Sequence, residues 1–140
     1  MAGFIEDGYD RDDGFIAPAL PNSAGVRLHD GLSFSYRTAS RQEVVKHDAE
    51  CRIALANEDR DPQCAVDAEK LACKFIASRL AKWDLKNSKG EVVPITWENM
   101  GRVIPAIFGP LYRIIRGVQV SDPKPMEKES PPSDEQLAKN

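Results

Sequence analysis

Leu71-Ala72-Cys73-Lys74-Phe75-Ile76-Ala77-Ser78-Arg79-Leu80-Ala81-Lys82-Trp83-Asp84-Leu85 is followed by a polar turn, by Val92-Val93-Pro94-Ile95-Thr96-Trp97-Glu98-Asn99-Met100, and by an apolar run to Gly117. Both tryptophans and three of the five Phe and Tyr side chains after residue 30 lie between Leu71 and Gly117. Ala65, Ala68, Leu71, Ala72, Phe75, Ile76, Leu80 and Trp83 recur at helical spacing, which predicts one helix from about Pro62 to Lys82 with Asp61 as its cap. Asn87-Ser88-Lys89-Gly90 reads as a turn. Thr96 then caps a last helical region with Trp97, Met100, Ile104, Ile107, Phe108, Leu111 and Ile115 on one face. Pro105 and Pro110 predict two short helices with a kink at Gly109-Pro110, ending at Gly117.

Upstream, Ser40 and Glu43 have the spacing of a capping box, opening a helix that runs to about Asn57. Leu32-Ser33-Phe34-Ser35-Tyr36 alternates with the period of a half-buried strand. Val26 and Leu28 alternate likewise, and His29-Asp30-Gly31 between the runs predicts a hairpin over residues 25–37. Gly3-Phe4-Ile5 recurs as Gly14-Phe15-Ile16, which reads as two short strands or loop anchors. The expected fold is mainly α: an extended arm over residues 1–24, a small helical domain with its β-hairpin over 25–120, and a disordered tail over 121–140 that is rich in Pro, Glu, Lys and Ser. Phe34, Tyr36, Phe75, Leu80, Trp83, Trp97, Ile104 and Phe108 are the expected core anchors.

The chain of 140 residues fits one domain. A formal charge of −3 is too small to point to nucleic acid or a membrane. Its acids gather at the two ends: residues 1–13 carry −4 and residues 121–140 carry −2, which leaves the middle at +3. The N-terminus has no secretory pattern, and no apolar run approaches the ~18 residues of a membrane span. Cys51, Cys64 and Cys73 have no metal-like spacing and suit a reducing cytoplasm. His47 and Cys51 stand four apart on one expected helix, but no second pair completes a zinc site, so neither metal nor cofactor is expected. No phosphate loop or nucleophile elbow occurs, and no nucleophile, base and oxyanion site assemble, so an enzyme is not expected. Arg79, Lys82, Lys86 and Lys89 gather around Trp83, yet acids interleave them, and a nucleic-acid role is disfavoured.

Four pieces in order carry a family resemblance: the opening Gly3-Phe4-Ile5-Glu6-Asp7-Gly8-Tyr9; the strand Leu32 to Tyr36 with Arg37; Trp83-Asp84-Leu85, a turn, then Gly90-Glu91-Val92-Val93-Pro94-Ile95-Thr96; and a helix ending at Ile115-Arg116-Gly117 before a polar tail. Together they resemble the small tail assembly chaperones of long-tailed bacteriophages and prophages, over roughly residues 1–120. Thr38 stands where many of that family place proline after Tyr-Arg. The resemblance implies a non-catalytic viral protein of the host cell cytoplasm. Its partners would be the tape-measure protein, which it keeps soluble, and the tail-tube protein. It also implies a longer form made by frameshifting; Ala138-Lys139-Asn140 can be encoded by a slippery run. Phe4, Phe15 and Tyr112 are the expected partner-binding residues. A homo-oligomer stays open, as do two other readings, a structural minor tail or connector protein of the virion and a small nucleic-acid-binding regulator.

Overall fold

The computed structural model describes residues 11–124. Its centre is strand β2, Leu32–Tyr36, which is hydrogen-bonded on both edges. On one side it pairs antiparallel with β1, Asp12–Ile16, in the register Asp12↔Tyr36 to Ile16↔Leu32. On the other it pairs antiparallel with β3, Leu80–Trp83. Helices α1 (Arg41–Ala54), α2 (Gln63–Ala77), α3 (Trp97–Met100) and α4 (Pro105–Ile115) accompany the sheet. The fold is therefore mixed α/β, and the expectation of a mainly α domain is corrected by this three-stranded sheet.

Two misread segments account for that correction. The expected hairpin over 25–37 does not form: Val26 and Leu28 are exposed, and Leu32–Tyr36 pairs with β1 instead. Asn22 explains why. Its side chain accepts the backbone N–H groups of Ala24 and Val26, and its own N–H goes to Val26 O, so Val26 spends its backbone on a local turn. Gly25 takes the positive φ of 80° that this turn needs.

The second is the end of α2, which stops at Ala77 rather than at Lys82. Leu80 and Trp83 are three apart, which mimics helical spacing and would put them on opposite faces of a regular strand. The register shifts between Ser35 and Tyr36, so that Trp83 pairs with Phe34 and Leu80 with Tyr36 while Ala81 is the extra residue. This bulge lets both large side chains face the core. Trp83 also donates its indole N–H to Val93 O at 2.7 Å.

Local signals elsewhere are used in part as read. Ser40 and Glu43 form the reciprocal capping box at the start of α1, which ends at Ala54, three residues earlier than expected. Asp61 Oδ1 accepts Gln63 N–H at the entry to α2. Thr96 Oγ1 accepts Asn99 N–H at α3. The last helical region does divide in two, but ahead of Pro105 rather than at Gly109-Pro110. Pro105 holds Ile104 extended (ψ 150°), which ends α3's path and starts α4. Pro110 lies inside α4, and the helix continues through it, forgoing the one hydrogen bond that a residue with an N–H would make there. Buried Ile107, Leu111, Ile114 and Ile115 hold α4 against the core across that gap. Gly117, at φ 81°, closes the helix: Gly117 N–H bonds Ile114 O and Val118 N–H bonds Arg113 O, the paired bonds of a Schellman ending.

The core lies between the helices and the sheet face bearing Leu32, Phe34, Tyr36, Leu80 and Trp83. Phe75 is buried with them; Trp97 and Phe108 are half-buried and packed against the cluster. Ile104, expected inside, is 38% exposed, because the extended residue before Pro105 turns away from the helix face. Trp83→Ala removes a buried aromatic and leaves Val93 O without its donor; a loss of roughly 3–5 kcal/mol in unfolding free energy is expected, read by urea denaturation.

Candidate interaction surface

Helix α1 is fastened largely by polar groups. Arg37 donates two hydrogen bonds to the Glu43 carboxylate, at 2.9 and 3.1 Å, and Arg79 approaches the same carboxylate at 3.4 Å. Together with Ser40 these cations hold the Glu43 carboxyl down at about 2, although burial opposes them. One turn on, His47 is buried, stacked on Phe75 at 4.0 Å between ring centroids, with Nε2 2.7 Å from the Tyr112 hydroxyl. Burial first, then the Arg116 and Arg79 charges, lower the His47 pKa against the opposing pull of Asp48. Asp48 takes a bidentate pair from Arg116 at 2.7 and 3.2 Å.

This seam joins α1 to α2 and α4, and its chemistry is structural. Cys51 Sγ lies 3.6 Å from His47 Nε2, but burial raises the thiol's pKa, so the pair does not resemble an activated nucleophile and base. Cys73 is pushed to about 11, by burial and by Glu69 beside it. Among the described residues no group of three or more His, Cys, Asp and Glu is placed to hold a metal.

The three residues expected to meet a partner fall in different places. Phe4 lies outside the described residues. Phe15 is buried on the sheet face opposite the main core: it is paired with Ser33, and its ring packs against Gly31, beside which Pro18 also lies. Tyr112 is half-buried, its hydroxyl engaged by His47 and its ring edge-on to Phe75. The exposed apolar surface is elsewhere. Val45 and Ile53 point outward from α1, and Val66 points outward from α2; Ile53 is 75% and Val66 57% exposed. No α2 residue before Ala72 is buried, so the far half of the α1–α2 hairpin stands away from the core.

Along the first part of α2 a hollow of about 550 Å³ runs between α2 and α3, lined by Val66, Lys70, Cys73, Trp97 and Gly101 among others. Lys70 and Lys74 stand 4.7 and 5.7 Å from the Trp97 ring centre. A second hollow of about 900 Å³ lies beyond the opposite end of the sheet, over Leu32, Leu85, Val93, Val103 and Ile107. Spacing alone does not separate a core side of α1 from an exposed one, because Val44, Val45, Ala49, Cys51 and Ile53 together spread round much of the helix. The signal that separates them is His47: once it is placed inside, Val44 and Cys51 face the core and Val45 and Ile53 do not.

No known protein family, curated protein or solved structure matches this chain. No helix among the described residues is long and apolar enough to cross a membrane.

Glu43 gives the seam a defined pH dependence. Its folded pKa of about 2 lies below the ordinary 4.5, so its stabilisation is complete above pH 4.5 and is lost as pH falls toward 2. Acid titration followed by circular dichroism should show stability falling through that window. Glu43→Gln should be less stable than the parent at neutral pH, and its stability should fall less steeply across the same range.

Proposed function

We propose that this protein is a non-catalytic tail assembly chaperone of a long-tailed bacteriophage or prophage, acting in the host cytoplasm on the tape-measure protein and assisting tail-tube assembly. The four sequence pieces that resemble that family motivate the reading. The observation set beside it is the α1–α2 hairpin, on which Val45, Ile53 and Val66 are exposed apolar side chains that the chain's own core leaves uncovered. A tape-measure protein of long amphipathic helices offers apolar stripes to such a surface, and helix-on-helix burial needs no catalytic group. A hairpin fastened at its root by Asp48–Arg116 and His47–Tyr112 presents that surface on a fixed support.

The deciding experiment is co-expression with the tape-measure protein. The parent should keep that protein in the soluble fraction. Ile53→Asp with Val66→Asp should lose this while changing the parent's own stability by less than about 0.5 kcal/mol, as exposed positions do. Equal aggregation of the tape-measure protein with and without the parent would sink the chaperone reading. Finding the protein in purified particles would favour a structural tail component.

A further inference from the structure

Helix α1 puts one fully buried residue into the body of the protein, and that residue is a histidine. His47 stacks on Phe75 with ring centroids 4.0 Å apart, and its Nε2 lies 2.7 Å from the Tyr112 hydroxyl. Both contacts suit a neutral imidazole. A charged one would need a carboxylate, and the acids of its own helix do not supply it. Glu43 is bound by Arg37 and Arg79, Asp48 is held by Arg116 in a bidentate pair, and Glu50 is exposed. The neighbouring elements present cations instead: Arg79 just past α2 and Arg116 at the end of α4 both oppose a charge on His47. The Phe75 ring already carries the Arg79 guanidinium, 4.0 Å from its centre, so an imidazolium would be the second cation on one ring. Beside Nδ1 stands Cys51 Sγ, a weak acceptor at 4.0 Å.

We propose that His47 is a pH latch: its protonation frees α1 from α2 and α4 while the sheet and α4 stay folded. The rest of the seam keeps its charge as pH falls from neutral to mildly acidic. Hydrogen bonds from Arg37 and Arg116 hold the Glu43 and Asp48 carboxyls below their ordinary values, and burial raises the Cys51 thiol and the Tyr112 phenol above theirs. Burial first, with the Arg116 and Arg79 charges, holds folded His47 below the ordinary 6.5 against the pull of Asp48. Docking of α1 is therefore fully supported above 6.5 and weakens as pH falls toward the folded value. The helix can leave without opening the core, because the buried cluster comes from the sheet, α2, α3, α4 and Ala39, and Val44 is the α1 side chain packed against it. Its first turn stays pinned by the capping box and the Arg37–Glu43 pair, so opening starts from the Ala54 end and bares the Phe75 face and the Tyr112 hydroxyl. The proposal does not rest on the chaperone reading.

The test is amide hydrogen exchange on the full chain at about pH 7.5 and about pH 5.5, each rate divided by that of an unstructured amide at the same pH. Protection from His47 to Ala54 should fall severalfold, and by no more than about tenfold, while the amides of β2 and α4 keep theirs. His47→Gln cannot titrate and should abolish the difference; His29→Gln, which removes the other histidine, should retain it. The parent supplies a second measurement, the titration of the His47 ring by carbon NMR, which should fall below 6.5. Equal α1 protection at both pH values overturns the proposal, as does a pH dependence that survives in His47→Gln. Loss of protection in β2 and α4 alongside α1 overturns it too, because the whole domain then opens. If His47→Gln leaves α1 unprotected at both pH values, the parent decides: a His47 ring that titrates at or above 6.5 overturns the latch, and one that titrates below 6.5, with α1 alone losing protection, supports it.

Discussion

Strand β2 needs partners on both edges, and neither is next to it in sequence. Its backbone N–H and C=O groups are buried between β1, which lies before the long 17–31 loop, and β3, which lies beyond two helices. Buried backbone groups left unpaired are costly, so the sheet forms only when residues near 14 and near 82 reach residue 34 together. Phe34 is the meeting point: Gly14 pairs with it on one side, Trp83 on the other, and Tyr36 packs on its ring at 5.4 Å. Loss of either flanking strand exposes this aromatic layer, which lies against the helices in the core.

The helical layer depends on a different kind of force. Helix α1 buries one residue, His47, so apolar burial alone gives it little hold. Its attachment comes from the Arg37–Glu43–Arg79 group, the His47–Tyr112 hydrogen bond and the Asp48–Arg116 pair. Arg79 is the most committed of these residues. It lies 4.0 Å from the Phe75 ring, donates to Phe75 O and meets Glu43, and its Nε is buried without a hydrogen-bond partner. Leaving a buried donor unpaired is unfavourable, and Arg79 bears it because its other nitrogens tie α1 to the end of α2. A helix held by polar contacts on one side keeps its other side free for apolar residues that would otherwise be drawn into the core. That division accounts for Val45 and Ile53.

The sequence made the local punctuation legible. Ser40 with Glu43, Thr96 and Gly117 each act within a few residues of themselves, and each performs its role in the structure. Strand β2 was legible from its alternation, and Phe34, Tyr36, Phe75, Leu80 and Trp83 are all buried. What could not be read was decided at a distance. The partner of β2 depended on Asn22 holding Val26 in a turn, and the fate of Leu80 to Trp83 on a bulge that only pairing with Phe34 and Tyr36 creates. Phe15 read as a spare apolar residue because its neighbour Gly31 is brought to it by the strand pairing itself. The candidate surface was hidden for the same reason: which side of α1 faces out follows from Arg79, Tyr112 and Arg116, all far along the chain.

The C-terminal part of the described chain closes the remaining edge. Sequence composition assigns Ser121 to the start of a tail, yet Ser121 and Asp122 bond the outer side of β1 at Phe15 and Ala17. An open strand edge invites pairing with other chains, and a side-chain hydroxyl and carboxylate satisfy its N–H groups without extending the sheet. The order of the contacts, Ser121 at Phe15 and Asp122 at Ala17, runs the chain parallel to β1 and away from residue 11. Asp122 thus lies at the Ile16 end of β1, remote from Asp12. The two side chains that seal the sheet's edge therefore also fix the last described part of the chain to the end of β1 remote from Asp12.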